Sequence, residues 1–386
     1  MKIANLEDVL RLVRDVTSEV IAPQADTVDR ERAWPAASFR ALQQAGLGGL
    51  VVPRSAGGLG FGLAALARVS EEIGLACPSS ALSFGMHHVA AAVLAAKPTS
   101  EQTERFLGPI VRGEHITTLA LSEPGSGAHF YVPEARLSRA TDDELAISGT
   151  KSFVTNGTHA DSYVVSVGAV EDADLGRFSC VLVPKDAKGI TWGPRWNGLG
   201  MRGNDSRAMT LDDVRVHRAN LLGQEGDQIW YVFNVVAPYF LVAMAGTYLG
   251  VASAALEEAR THLSSRTYTH SGSTLGSQPL LQHRLGVLWG KVARTRAFVH
   301  YAAAAGDAGT SDALAALCSA KAEVAECAVD VVNEAMTLVG GKGYGEDSRM
   351  HRYLRDARAA HVMAPTTDIL RTWTGRVLLG QPVLAD

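Results

Sequence analysis

Several features are scarce in this sequence, and each scarcity excludes a class of protein. The 386 residues include four cysteines, which form no CxxC pair and have no nearby histidine at ligand spacing: Cys77, Cys180, Cys318 and Cys327. We therefore expect no metal site and no disulfide scaffold, but reduced thiols packed as small hydrophobic residues. Lys and Arg are scattered among acids at a net charge of −4, so nothing indicates nucleic acid as a partner.

The N-terminus lacks the apolar segment of a signal peptide, because "MKIANLEDVLRLVRDV" carries charges throughout. We therefore expect a cytoplasmic protein. The run from Trp230 to Leu256 has no charged residue and is long enough to span a bilayer. It contains Asn234 and Pro238, however, and no basic cluster flanks it. A helix buried on most sides within a bundle is the better interpretation, so we expect no membrane association.

Hydrophobic periodicity divides the chain into three regions. Up to about residue 116 the period is helical, as in "LEDVLRLVRDV" and "SALSFGMHHVAAAVLAA". Residues 117–222 contain β-type runs between turn residues, and the strand candidates are "HITTLALSE", "ELAISGTKSFVTN", "SYVVSVGAV", "FSCVLVPKD" and "MTLDDVRVH". Helical periods return beyond Gly223. The sequence predicts a helical domain at 1–116, a β-domain at 117–222 and a helical bundle at 223–386.

Glycine-containing segments combine features that core packing does not require. "ALSEPGSGAHF" follows a strand, and its turn offers backbone N–H groups and the hydroxyl of Ser122 to a phosphate or a flat ring. In "GTKSFVTNGTHAD", strand alternation would place Phe153 and Thr155 on one face. In "HVMAPTTDIL", Pro365 would interrupt a helix or open the next, whose free N–H groups favour anions such as pyrophosphate. Taken alone, the first two segments would also suit a surface turn and a plain hairpin.

In this order and spacing, the segments resemble the signatures of the acyl-CoA dehydrogenase superfamily of flavoproteins. "SEPGSG", "GTKSFVTNG" and "GGKGY" followed by "RYLRDAR" carry the resemblance, which covers essentially the whole chain. It implies a mainly α fold with an N-terminal helical domain, a middle β-barrel or sandwich and a C-terminal four-helix bundle. It also implies FAD between the β-domain and the bundle, completed by a neighbouring subunit, and hence a homodimer or a homotetramer.

The resemblance assigns FAD contacts to particular positions. Ser122 corresponds to a flavin-contacting Thr or Ser, Phe153 to the aromatic residue beside the isoalloxazine, and Thr155 to a threonine that hydrogen-bonds near N5. Arg266 and Gln278 resemble residues that reach a partner subunit's FAD. The full set of expected FAD contacts is Leu121, Ser122, Gly127, Phe153, Thr155, Arg266, Gln278, Thr337, Gly340, Gly341, Thr366 and Asp368.

The chain departs from the family at the catalytic positions. In typical members a glutamate removes the α-proton of an acyl thioester while the β-hydride passes to flavin N5. The two positions used for that glutamate correspond to Ala364 and Phe240 here, so no catalytic residue can be named. Because a general base contributes about 10²–10⁴-fold, we expect ordinary desaturation of a saturated acyl-CoA to be crippled. The backbone N–H of residue 364, which in the family helps to polarise the thioester carbonyl, remains.

The positions that contact CoA in the family also differ. Pro238 and Leu241 stand where typical members carry charged residues. An acyl chain on a carrier protein's phosphopantetheine arm is therefore an alternative to an acyl-CoA. Arg202, Arg215 and Arg218 could meet an acidic carrier protein, but a solvated charged surface is the simpler interpretation.

Three functions remain open. The first is an FAD-dependent dehydrogenase of an unusual acyl thioester in specialised metabolism. It could desaturate beyond the α,β-position, with another residue, water or Tyr239 as proton acceptor and an electron-transfer flavoprotein or O₂ as electron acceptor. The second is a flavin-dependent monooxygenase that hydroxylates or N-oxidises its substrate and needs no glutamate. The third is a non-catalytic flavoprotein.

Overall fold

The computed structural model describes residues 3–168 and 178–384, which form a helical, a β and a second helical region. The strand candidate at 162–170 begins at Ser162, but its last two residues lie outside the described residues, as do the ends of the first and last predicted domains. The helices of the first region are α1 Leu6–Val16, α2 Ala22–Arg30, α3 Ala36–Gln44, α4 Leu63–Ala76, α5 Pro78–Ala96, α6 Ser100–Gln102 and α7 Gly108–Val111. A π-helical turn at Thr17–Ile21 joins α1 to α2, and another at Thr103–Leu107 joins α6 to α7.

Capping side chains determine where two of these helices begin. The Asn5 side chain accepts from the Asp8 N–H at 3.0 Å, and the Asp8 carboxylate accepts in return from the Asn5 N–H, which closes a capping box on α1. Helix α4 follows a glycine and has no capping side chain of its own. The carboxylate of Asp307, far along the chain, instead accepts from the N–H groups of Leu63 at 2.6 Å and Ala64 at 2.9 Å. This cap ties the first helical region to the last.

The middle region forms one eight-stranded sheet with the order β6–β7–β3–β2–β4–β5–β8, and β1 pairs in parallel with β4. Its strands are β1 Thr117–Ala120, β2 Arg136–Arg139, β3 Glu144–Val154, β4 Ser162–Gly168, β5 Phe178–Pro184, β6 Ile190–Trp192, β7 Arg207–His217 and β8 Leu221–Leu222. All five strand candidates correspond to strands. The short strands β2, β6 and β8 were not predicted, because runs of two to four residues carry no readable alternation.

The last region is a helical bundle. Its helices are α8 Gln228–Tyr231, α9 Ala237–Ser265, α10 Pro279–Ala308, α11 Ala313–Val339, α12 Gly341–Tyr344, α13 Arg349–Val362 and α14 Thr367–Leu378. The long helices α9, α10 and α11 pack against one another, and α13 and α14 pack against α11. Pro365 lies between α13 and α14, as expected.

Two helical runs are long and apolar enough to cross a membrane, namely Pro78–Ala96 and Gln228–Ser265. Within the fold, however, 89% and 83% of their apolar windows are buried. The uncharged run from Trp230 to Leu256 is therefore mostly buried helix in this structure, as Asn234 and Pro238 within it indicated.

Small residues bring the first helical region into contact with the bundle. A Cβ atom at Gly246 of α9 would lie 2.1 Å from the carbonyl oxygen of Ala67 in α4, and one at Gly74 of α4 would lie 2.6 Å from the carbonyl oxygen of Thr247. The two backbones touch because neither glycine has a side chain. This close packing allows both helical regions and the sheet to share the walls of one cavity.

Candidate active site

A cavity lies where the three regions meet. Five positions predicted from the sequence come together in its wall, namely Leu121, Ser122, Phe153, Phe240 and Ala364. Helix α5, strands β1 and β3, the loop after β1, helix α9 with the π-helical turn Val232–Val236 before it, and the turn before α14 supply the wall. The twelve lining residues are Met86, Leu119, Leu121, Ser122, Phe130, Ser152, Phe153, Val236, Ala237, Phe240, Ala364 and Pro365.

The lining is apolar apart from two hydroxyl groups. Among the described residues that form the wall, none has a carboxylate, imidazole, amine, thiol or phenol, and the hydroxyls belong to Ser122 and Ser152. The backbone N–H of Ser152 donates to the carbonyl oxygen of Ser122 at 2.7 Å, which joins the loop to the strand. Ala364 and Phe240, which the resemblance assigns to the two base positions, both line this space. The cavity can hold an apolar acyl chain, but these side chains cannot take up a proton.

Tyr239 is not placed to replace the missing base. Its neighbour Phe240 lines the cavity, whereas Tyr239 is not among the described residues of the wall. Burial raises the pKa of Tyr239, which disfavours the phenolate that a base would require. The suggestion that Tyr239 accepts the proton therefore finds no support in the structure.

A buried ion pair holds the loop of Ser122 against the strand of Phe153. The ammonium of Lys151 contacts the carboxylate of Glu123, which also accepts from the Ala135 N–H at 3.1 Å. The two charged side chains are 0% and 1% exposed. Burial lowers the pKa of Lys151, and the nearby Glu123 carboxylate opposes this effect. Because the loss of either partner would leave an uncompensated buried charge, the pair fixes this corner of the cavity.

Phe153 separates the first cavity from a second. It is 66% exposed, has a φ of +54° and meets the ring of Trp196 edge-on at a centroid distance of 6.0 Å. The second cavity has an empty volume of about 800 Å³ and shares Ser152 and Phe153 with the first, while Trp196 and Arg207 lie on its other sides. A large aromatic ring is thus left uncovered between two spaces.

Thr155 is placed differently from the prediction. Strand β3 ends at Val154, and its pairing with β7 is irregular between Lys151 and Val154. The regular alternation predicted to put Phe153 and Thr155 on one face is therefore wrong, because the irregularity and the positive φ of Phe153 interrupt it. Thr155 is only 6% exposed, and its hydroxyl lies 3.1 Å from the Oγ of Ser206, which lines the second cavity.

The remaining predicted FAD contacts lie outside both cavities of the single chain. Arg266 follows α9 directly, and Gln278 precedes α10. Gly340 has a φ of +68°, and no atom lies within 4 Å of a Cβ built on Gly340 or Gly341. Thr366 is half-buried, and the exposed positions are Gly127, Arg266, Gln278, Thr337, Gly340, Gly341 and Asp368. The exposed positions are accessible to a ligand or a second subunit.

Three buried charges beside the first cavity were not predicted from the sequence. Glu123 and Lys151 lie beneath the loop and the strand, and Lys321 lies in α11. Each stands in a short run of otherwise uncharged residues, "LSEPG", "GTKSF" and "CSAKA". A charge that interrupts such a run is either on the surface or paired inside, and this is the signal that could have identified them.

Comparison with known proteins assigns every region to the same family. Models of the N-terminal, middle and C-terminal domains of acyl-CoA dehydrogenase match residues 4–114, 118–214 and 239–379. The chain belongs to the acyl-CoA dehydrogenase family. It is therefore an enzyme of the FAD-dependent oxidoreductase class, and the fold class predicted from the sequence is confirmed.

Individual relatives of this acyl-CoA dehydrogenase family member span nearly the whole chain. The probable acyl-CoA dehydrogenase YngJ of Bacillus subtilis (strain 168) is 29% identical, over 96% of this chain and 97% of its own. Butyryl-CoA dehydrogenase from Megasphaera elsdenii superposes with a TM-score of 0.91 at 23% identity, covering 98% of this chain and 99% of the other. The prolyl acyl carrier protein oxidase AnaB superposes with a TM-score of 0.86 at 22% identity, covering 97% and 100%. The two structural likenesses show the shared fold.

The residues present fit the family's FAD. The exposed face of Phe153 between two cavities suits a flat ring, and the open backbone at Gly340 and Gly341 allows the close approach of a pyrophosphate. Ser122 and Phe153 would hold the flavin end, and the two glycines the phosphate end. When bound, FAD supplies the acceptor for a pair of electrons.

Proposed function

We propose that this flavoprotein desaturates an unusual acyl thioester, which is presented on a carrier protein's phosphopantetheine arm and oxidised beyond the α,β-position. The observation that carries the proposal is the composition of the first cavity. Its described wall has no titratable side chain, and it includes Ala364 and Phe240, which the resemblance assigns to the two base positions. Because a general base is worth about 10²–10⁴-fold, a substrate with weakly acidic α-protons is a poor match for this wall.

A substrate that already has an α,β-double bond is a better match. Its γ-protons are acidified by conjugation with the thioester carbonyl, so a γ-proton would pass to water and the hydride of the δ-carbon to bound FAD, which would leave a γ,δ-double bond. The part of the chain in this step is to bind the carbonyl through the backbone N–H of Ala364 and thereby draw electron density from the γ-carbon. The apolar wall around Phe240 and Leu119 would hold the acyl chain.

The carrier-bound form is favoured by what surrounds the start of α9. Pro238 and Leu241 provide no charge for a CoA phosphate, and Leu241 is buried in the core. The fold is also that of the carrier protein oxidase AnaB. Arg215 and Arg218 do not add support, since each pairs with a nearby carboxylate, at 3.1 and 3.5 Å.

Anaerobic titration of the flavin tests the proposal. The panel holds the length of the acyl chain constant and varies two features. The acyl group is carried by CoA or by a carrier protein, and it is saturated or α,β-unsaturated. The visible flavin absorption should bleach fastest with the carrier-bound unsaturated acyl group, and mass spectrometry should show a product lighter by two hydrogen atoms. Equal bleaching by the saturated acyl-CoA would contradict the proposal. Protein that ignores every thioester, but consumes O₂ when an external reductase reduces it, would be a monooxygenase instead.

We also propose that the chain acts as a cytoplasmic homo-oligomer. Leu280 and Val287 on α10 are 68% and 48% exposed, and because they are seven positions apart they lie on the same face of the helix, where exposed apolar side chains favour burial by a second copy. The exposed Arg266 and Gln278 at neighbouring helix ends would then be available to the second copy's FAD. All four cysteines are buried and free, as a reducing compartment allows. Sedimentation with absorbance detection tests this, since a monomer that retains FAD on dilution would contradict it.

A further inference from the structure

Lys321 is a buried cation without a carboxylate partner. It lies in α11 and is 0% exposed. No carboxylate of the described residues forms an ion pair with it, and burial lowers its pKa to about 7. A lone ammonium in a protein interior is costly unless it is fully hydrogen-bonded, so its hydrogen-bond partners indicate what it stabilises.

Those partners are three backbone carbonyl oxygens in one short segment. The Nζ of Lys321 donates to the carbonyls of Ala360 at 2.8 Å, Met363 at 3.0 Å and Pro365 at 2.8 Å. The three acceptors match the three hydrogens of an ammonium, which a neutral amine could not satisfy. Ala360 lies in the last turn of α13, where carbonyls lack intrahelical partners and a cation is favoured.

The opposite side of this segment is the wall of the first cavity. Ala364 and Pro365 both line it. Among the described residues the N–H of Ala364 donates to no protein acceptor, although the next N–H upstream, that of Met363, bonds to Ala359 at 3.0 Å. The carbonyl of Met363 and the N–H of Ala364 belong to the same peptide unit. An ammonium on that carbonyl oxygen polarises the unit and strengthens its N–H as a donor.

We propose that Lys321 is a positioning residue for the thioester carbonyl. Its ammonium fixes the turn from Ala360 to Pro365 and polarises the Met363–Ala364 peptide, so that the free N–H of Ala364 binds the substrate's carbonyl oxygen. The proposal rests on the proposed function, because it takes an acyl thioester as the ligand. On one side of the turn, the carbonyl of this peptide accepts from the Lys321 ammonium. On the other side, the N–H of the same peptide donates to the substrate.

The test compares two ligands that differ only at the carbonyl. One is an acyl thioester on pantetheine, and the other is the thioether in which a methylene replaces the carbonyl. Both are titrated into the FAD-loaded protein, and the shift of the visible flavin spectrum measures each dissociation constant. The variants are Lys321→Met, which removes the charge, and Lys291→Met as a matched control. Lys291 makes a partly exposed ion pair with Asp330, which lies nine residues after Lys321 in α11 and therefore on the opposite face of that helix.

Loss of a complete oxyanion donor typically costs about 10²–10³-fold. Lys321→Met keeps the Ala364 N–H but removes its polarisation, so we expect about a tenfold weaker preference for the thioester over the thioether, and a fall in kcat larger than any change in KM. The control should keep the preference of the unaltered protein. Equally weaker binding of both ligands would mean that Lys321 only supports the fold. An unchanged preference for the thioester would mean that the charge of Lys321 does not affect the hydrogen bond to its carbonyl. Either result overturns the proposal.

Two further measurements separate failure of this proposal from other failures. If the methionine variant does not fold, Lys321→Gln is used instead, because its amide can still donate to the carbonyls but carries no charge. A full preference in that variant would overturn the role of the charge. If the unaltered protein itself shows no preference for the thioester, the proposed function fails first, and the Lys321 proposal falls with it.

Discussion

The most direct test of the substrate proposal restores the base. Ala364→Glu should give the protein a measurable ability to desaturate a saturated acyl-CoA that it otherwise oxidises poorly. Ala364 lines the cavity, so a glutamate at this position would extend into the space proposed for the acyl chain. Ala364→Gln is the matched control, because it has nearly the same shape and cannot accept a proton.

The expected gain follows from the surroundings of residue 364. A correctly placed base adds about 10²–10⁴-fold, which corresponds to about 3–5 kcal/mol of activation free energy. The new carboxylate would face Leu119, Phe240 and other apolar side chains. Burial there raises its pKa above the ordinary value of about 4.3. The gained activity should therefore increase with pH through that raised pKa, whereas the glutamine variant should show no such dependence.

The assay is the anaerobic rate of flavin bleaching after rapid mixing with a saturated acyl-CoA. Bleaching by the glutamate variant at least about a hundredfold faster than by the glutamine variant would show that only the base was missing. Equal rates would refute the reasoning, because the carboxylate would then have no productive substrate within reach. In that case the pocket itself excludes the conventional substrate.

Three further changes test the framework of the site. Glu123→Gln leaves Lys151 buried without its counter-ion and should cost about 3–5 kcal/mol, seen as a lower Tm and released FAD; an unchanged Tm would contradict the pairing. Asp307→Ala removes the cap of α4 and should cost about 0.5–2 kcal/mol, seen as a small Tm loss that Asp307→Asn partly avoids. Burial raises the pKa of Asp356 from 3.8 to about 6, so the folded state binds this proton more tightly and the stability that it contributes is lost as the pH rises through about 6. The Tm of Asp356→Asn relative to the unaltered protein should therefore increase between about pH 4 and pH 6, and a constant difference would contradict this.

Long periodic elements could be predicted from the sequence, because their pattern of apolar and polar residues repeats over several helical turns or strand residues. The uncharged run around Pro238 is an example, since its helical period and polar interruptions indicated a buried helix and the structure has one. Strands β2 and β8 were missed because pairing with neighbours, not their own pattern, makes them strands.

The site could be predicted only in part. The resemblance placed Ser122, Phe153 and Ala364 together, and the structure brings all three to one cavity. The irregular end of β3 was not predictable, because it depends on how β7 pairs with that strand. The hydrogen-bond partners of Lys321 could not be predicted from the sequence either, since they lie 39 to 44 positions further along the chain.

The buried charges around the cavity argue against a site that has simply decayed. Burying an ion costs several kcal/mol even after relaxation, and Lys151 and Lys321 are both 0% exposed. One holds the loop of Ser122 to the strand of Phe153, and the other holds the turn of Ala364, so each stabilises backbone that faces the cavity. Under the proposed function, a wall that offers donors to a carbonyl and a flavin, but no acceptor for a proton, selects substrates by their own acidity. In such an enzyme, specificity depends as much on which carbon acid enters as on the shape of the pocket.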